Sequence, residues 1–233
     1  MLPSNPVFQT AFWSLLTIAF YMVSKRVYRR FPRAWTSPLL ITPLLLIALA
    51  LVLNARYADY IRSTHWLMLL LGPATVAFAI PIYEQRALIA RTWPVLAFGV
   101  AVGSATAIAS AWAFASLLDL TEVLKLSLLP RSISTPFAMT ISGDIGGVPD
   151  LTALFVVITG VTGAAIGDVI LKVMPLRSAL ARGALFGMGA HGAGVARASQ
   201  IGGEEGSIAG LVMVLVGLVN VLAAPVLAML LRS

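Results

Sequence analysis

The stretch Leu128-Leu129-Pro130-Arg131-Ser132-Ile133-Ser134-Thr135-Pro136-Phe137-Ala138-Met139 decides how the rest of the chain is read. It places two prolines, three hydroxyl side chains and one cation within seven residues of an otherwise apolar region. Pro130 and Pro136 each lack an N–H and obstruct the preceding helical turn, so one continuous helix is excluded here. Ser134 before Thr135-Pro136 reads as an N-cap with proline in the first turn of a new short helix. A helix N-terminus presents unpaired N–H groups and partial positive charge, and Arg131 adds a full charge beside it. Broken backbone at membrane depth is tolerated only where protein buries it or where it lines a wet cavity. The stretch therefore reads as a binding site for a small anion; the competing reading is an extramembrane loop before an ordinary capped helix.

Composition supplies the membrane. Of 233 residues, 59% are hydrophobic and 11% charged, against about 25% charged in soluble domains. That balance predicts an all-α integral membrane protein. The net charge of +7 owes much to Lys25, Arg26, Arg29, Arg30 and Arg33, which read as one short cytoplasmic loop, a topology feature and not a nucleic-acid patch. Without cysteine there are no disulfides or thiolate metal sites. The first apolar run lacks a basic leader and a small-residue cleavage site, so it reads as a retained span.

Working outward, spans are expected over about 6–23, 37–53, 65–83, 92–118, 151–174, 179–201 and 207–231. The third is interrupted by Gly72-Pro73 and Pro81, and the fourth is long enough to tilt. The stretch 120–142 either crosses once or enters and leaves on the outer side as two half-helices. The second version puts Lys172, Arg177 and Arg182 in the cytoplasm and is favoured by the positive-inside rule. The expected total is seven or eight segments, some discontinuous or re-entrant. The segment Gly143–Asp150 reads as a turn, and so does Gly202–Gly206. One polytopic domain, 1–233, is expected, with about 1–64 as scaffold spans and about 65–233 as the core that carries the motifs. The third, fifth and seventh segments would form its transport part.

A few residues in this background have chemistry. Arg131, Ser132, Ser134, Thr135 and Pro136 form the candidate anion site, with hydroxyls donating to carboxylate oxygens or bonding back to their own helix. His191 and Gly192, between Gly189 and Gly194, are further candidate substrate contacts, and His191 is also a proton-coupling candidate; the alternative is a neutral histidine satisfied by a neighbouring helix. Helix breaks are expected at Gly72, Pro73, Pro81, Pro130, Gly189 and Gly194. Arg197 is a candidate second anion contact or a headgroup contact. Asp168, inside a span, needs a partner or a proton and is the second coupling candidate. Asn220 reads as helix–helix glue. No catalytic triad, phosphate loop or metal-binding motif is legible, so no enzyme, metal or cofactor is expected.

Two blocks then become recognisable. Leu129–Met139 followed by Ile145-Gly146-Gly147-Val148-Pro149-Asp150-Leu151-Thr152-Ala153 resembles the LrgB/CidB family of bacterial membrane proteins. Leu71–Ala77 with Ile80–Tyr83, and Gly189–Gly194, resemble two further elements of that family. Ser134 stands where the family usually has threonine, and Val195 replaces a hydroxyl-bearing residue of the histidine motif. The resemblance implies an inner-membrane protein working beside a small holin-like LrgA/CidA-type partner and named for control of murein hydrolases and autolysis. It also implies a carrier, because a fused plant relative is a plastidic glycolate/glycerate translocator and bacterial members are linked to pyruvate. The expected function is passage of a small monocarboxylate, with proton coupling through His191 or Asp168 and a homo-oligomeric assembly. The alternative is an antiholin-like regulator with no substrate of its own.

Overall fold

The computed structural model describes residues 5–31, 33–77 and 79–232, and every regular element among them is helical. The chain forms two compact units, Met1–Val76 and Ala77–Ser233, so the division falls inside the interrupted third segment.

The first unit contains α1 (Pro6–Arg30), α2 (Pro38–Val52), α3 (Tyr57–Met68) and most of α4 (Leu71–Ala77). Asn5 caps α1, its Oδ1 accepting from Val7 N at 2.9 Å, and Pro6 supplies the preset first turn. Lys25, Arg26, Arg29 and Arg30 are not in a loop as their clustering suggested; they lie on the last turns of α1. Lysine and arginine are good helix formers, and cations at a helix C-terminus are favoured by its dipole. Trp13 is buried and meets the Tyr60 ring edge-on at 5.4 Å, while Trp66 Nε1 donates to Ser14 Oγ at 2.9 Å, fastening α3 to α1. Gly72 and Pro73 sit in the first turn of α4, after the break at Leu69–Leu70, where a missing N–H costs nothing.

The second unit contains α5 (Ala79–Glu84), α6 (Arg86–Leu117), α7 (Glu122–Leu128), α8 (Thr135–Ile145), α9 (Pro149–Val173), α10 (Ala179–Ile201) and α11 (Gly203–Arg232). Pro81 lies in the first turn of α5; the position just before that helix, 78, lies outside the described residues. α6 is kinked at Thr92, two residues before Pro94. The expected turn from Gly143 to Asp150 is shorter than its composition implied. α8 continues to Ile145 and stops at Gly146, whose φ of +95° favours glycine, and Pro149 already starts α9. The expected exposed turn Gly202–Gly206 is also overturned. Glu205 is in the first turn of α11, buried, and paired with Arg182 at 2.6 Å.

α10 is the least ordinary element. Its helical φ/ψ fail at His191 (φ +41°, ψ −122°), and a Cβ at Gly194 would strike the carbonyl oxygen of Phe186. Residues eight apart in a straight helix are about 12 Å apart, so the chain doubles back at His191. Phe186 and Ala198 accordingly share one buried cluster with Ala209 of α11. The glycines set the spacing of this packing. A Cβ at Gly183 would lie 2.7 Å from Ile208 Cβ, and one at Gly167 would lie 2.6 Å from the Phe186 ring. Gly163 similarly abuts the Gly189 carbonyl. The first half of α10 thus runs antiparallel to α9 and parallel to α11, and at Gly163 and Gly187 backbone packs directly on backbone.

Among the described residues four helices are long and apolar enough to cross a membrane: α1, α6, α9 and residues Gly203–Val226 of α11. α2 is a shorter apolar helix. The protein is therefore an all-helical membrane protein in which long helices alternate with shorter broken ones.

Gly187 packs against the Ala209 carbonyl, and a Cβ there would also lie 2.9 Å from Ala209 Cα. Because backbone cannot yield as a side chain does, Gly187→Val is expected to cost about 1–3 kcal/mol. Gly210→Ala on α11, where a Cβ meets nothing within 4 Å, should be neutral or slightly stabilising. Thermal unfolding in detergent compares the two, and equal melting would contradict this packing.

Candidate functional site

The second unit builds one local pattern twice: a short helical hairpin followed by a long helix. In the first copy Pro130 converts the end of α7 into a 3₁₀ turn, Leu129–Ser132, and Ile133 and Ser134 are extended before α8 begins. The arms of this hairpin are pinned at its base. Ser127 Oγ accepts from Val148 N at 2.8 Å, and Thr152 Oγ1 lies 2.8 Å from Ser127 O and 2.6 Å from Ser142 Oγ. Ser127, Ser142 and Thr152 are fully buried, so this triple contact satisfies polar atoms that would otherwise be costly. Sequence reasoning assigned these three no role. The signal available was their position at the foot of the proline break, since two arms that return to one level need a polar staple.

The second copy is α10, whose arms meet at His191. The two tips converge beside the middle of α9. A Cβ on Gly160, near the centre of α9, would sit 3.3 Å from Ala190 O and 3.5 Å from His191 Nδ1. The 3₁₀ turn carrying Arg131 contacts both α9 and α10, and its guanidinium is within electrostatic reach of the His191 imidazole. Arg131 and His191, sixty residues apart in sequence, thus belong to one locus.

Its polar groups are incompletely paired. His191 is 3% exposed and Ser134 7% exposed. His191 Nε2 and Ser134 Oγ are buried without a hydrogen-bond partner among the described residues. Ser134 occupies the N-cap position of α8 as its sequence implied, yet its hydroxyl makes no cap bond. Leaving a buried polar group unpaired costs about 1–3 kcal/mol. The positive φ of His191 adds strain of about the same size. The starts of α8 and of the second half of α10, which includes Gly192, both lie at this locus, so partial positive charge from two N-termini accompanies Arg131. Ser132, Thr135 and Pro136 are half-buried on the same tip. Of the expected break positions, Pro130 lies in the 3₁₀ turn; Gly189 and Gly194 flank a break that falls on His191 itself.

Arg197 and Asp168 are placed elsewhere. Arg197 Nε donates to Asp168 Oδ1 at 2.7 Å, and its Nη1 donates to Gln200 Oε1 at 2.9 Å. Asp168 lies eight residues beyond Gly160, about 12 Å along the axis of α9. The pair compensates its own charge, and each side chain remains about one-third exposed. Asn220 Nδ2 donates to Ser104 Oγ at 2.9 Å, joining α11 to α6. No group of three or more His, Asp or Glu placed to hold a metal occurs among the described residues.

Long apolar helices, paired broken helices and a buried cationic locus between hairpin tips define a polytopic helical membrane protein with a central polar site. The chain belongs to the LrgB-like family, whose model matches residues 17–230. It is 42% identical over 212 residues to the uncharacterized protein YwbG of Bacillus subtilis, covering 91% of this chain and 94% of that one. It is 37% identical over 188 residues to the uncharacterized protein YxaC of the same organism, covering 81% and 82% respectively. No solved structure matches the chain.

Proposed function

We propose that this protein carries small monocarboxylates of the glycolate, glycerate or pyruvate kind across the inner membrane, beside a small LrgA/CidA-type partner. The observation that supports this most is that Arg131, three residues before the N-cap Ser134 whose Oγ is unpaired, is within electrostatic reach of His191, whose Nε2 is also unpaired. A carboxylate supplies the negative charge and the acceptor oxygens that such a locus lacks. In this reading Arg131 is the primary anion contact, with Ser132, Ser134, Thr135 and the α8 N-terminus as further donors. Arg197, already engaged by Asp168, is left out of the anion site in this reading.

The same reading assigns the two hairpins to opposite faces of the membrane, with their tips meeting near its midplane, as at broken-helix transporter sites. Arg86, Arg91, Lys172, Arg177 and Arg182 all fall at the end of the second unit where α9 finishes and α10 and α11 begin. Asp119, Glu122, Asp144 and Asp150, with Lys125 and Arg232, fall at the other end. The positive-inside rule makes the first end cytoplasmic, so the Arg131 hairpin enters from outside and the His191 hairpin from the cytoplasm. A cysteine introduced at Arg177 in this cysteine-free chain should therefore be protected from impermeant external thiol reagents, while one at Asp144 should react. The reverse labelling would exclude this orientation.

Transport is tested in proteoliposomes with labelled glycolate and pyruvate. Charge-assisted hydrogen bonds contribute about 1.5–3 kcal/mol each, so Arg131→Gln should weaken apparent affinity about 10–100-fold, with Arg131→Lys in between. Undiminished saturable uptake by the glutamine variant would remove Arg131 from the site. No uptake by the parent protein would favour a regulator of murein hydrolases without its own substrate.

His191 is the proposed coupling group. An anion seated beside the imidazole favours its protonated form, so substrate and proton bind with positive cooperativity. His191→Gln keeps hydrogen-bonding capacity but cannot titrate. Its uptake is expected to lose dependence on an imposed pH gradient, and a variant that follows the gradient as the parent does would pass the role to Asp168.

A further inference from the structure

One polar pair inside the second unit does more than join two helices. Asn220 spends both hydrogen bonds of its amide nitrogen locally, on Ser104 Oγ at 2.9 Å and Val216 O at 2.8 Å. Its Oδ1 accepts no hydrogen bond among the described residues, and Ser104, which is buried, accepts from Asn220 without donating its own proton to any described group. Helix–helix adhesion would be served by the donor side alone. The unused acceptor and the unused donor both belong to residues lining one small cavity of about 10 Å³, room for a single oxygen atom, bounded by Ser104, Ile108, Pro130, Ser132, Met188 and Asn220. Ser132 is the neighbour of Arg131, and Met188 lies three residues before the His191 break. The cavity therefore adjoins both hairpin tips.

A second, apolar cavity shares Ile108, Pro130 and Asn220 with the first and continues toward Ile141 and Ala223. Asn220 stands at the junction of the two.

We propose that Ser104 and Asn220 form the subsite for the oxygen on carbon 2 of the transported acid, while the Arg131 locus holds its carboxylate. This rests on the transport reading above and adds its selectivity. Asn220 Oδ1 accepts from a 2-hydroxyl, and the Ser104 O–H donates to a 2-hydroxyl or a 2-oxo oxygen. A 2-hydroxy acid satisfies both groups and a 2-oxo acid one. An unsubstituted acid leaves both unpaired, and sites built around a hydrogen bond reject analogues that lack its partner far more strongly than they reject differences in apolar size. The predicted order is 2-hydroxy acid, then 2-oxo acid, then unsubstituted acid.

The test uses the full-length protein in proteoliposomes with three labelled acids of equal carbon count: lactate, pyruvate and propionate. The parent should favour lactate over propionate by about tenfold or more in kcat/KM. Asn220→Leu and Ser104→Ala should each bring that ratio toward one, with propionate uptake retained. Retained propionate uptake also shows that the variant is folded. If Asn220→Leu does not insert, Ser104→Ala decides alone, because it removes one hydroxyl from a helix that tolerates alanine well. An unchanged ratio, or an equal fall for all three acids, overturns the subsite and returns Asn220 to a purely structural role. A parent protein with no Arg131-dependent uptake of any of the three overturns the transport reading itself, and the subsite with it.

Discussion

Everything in the second unit answers one constraint: backbone that leaves a helix inside an apolar interior must find partners within the protein. The chain leaves its helices there twice, around Pro130 and at His191. Unpaired N–H and C=O groups at that depth are costly enough that such breaks persist only where other elements enclose them. α9 and α11 provide the enclosure, and glycines at 160, 163, 167, 183 and 187 let the backbones come close enough to do so. The base of the first hairpin shows the same logic, with Ser127, Ser142 and Thr152 satisfying one another and the adjacent backbone.

The locus between the tips is less completely satisfied than that base. The staple at the base leaves none of its hydroxyls unpaired, yet Ser134 Oγ and His191 Nε2 are left so within a short distance of the break they help to form. In the proposed reading the two open groups near Arg131 receive a ligand that supplies acceptors, whereas the other unpaired buried side-chain atom among the described residues of the second unit, Arg182 Nε, belongs to a side chain already paired with Glu205. The strained φ of His191 belongs to the same account, because strain held in place by surrounding packing is concentrated at functional positions.

Two ion pairs of the second unit differ in burial. Arg197–Asp168 is about one-third exposed on both sides, and pairs of that kind contribute about 1 kcal/mol or less. Glu205 is almost completely enclosed against Arg182, where losing one partner strands a charge. That pair ties the first arm of the His191 hairpin to the start of α11, so the hairpin is anchored at its foot while its tip stays polar. The anchoring explains why a glycine-rich segment with two acidic residues, by composition an exposed turn, is instead the buried beginning of a long helix.

The amino-acid sequence by itself determined the membrane environment, the helical class, the proline break at Pro130, the N-cap position of Ser134 and the family motifs. Each of these depends on composition or on neighbours within a few residues. It also singled out Arg131 and His191 as chemically unusual, but it left them in separate segments. Only the tertiary structure decided that the chain reverses at His191 beside Gly160, that the Arg131 turn packs against α9 and α10, and that Arg197 is taken up by Asp168. The reason is that a glycine-rich helix pattern reads the same whether the helix runs straight or folds back. The choice is made by which surfaces lie close enough to exclude a Cβ, and that is a relation between residues distant in the chain, not a property of any window along it.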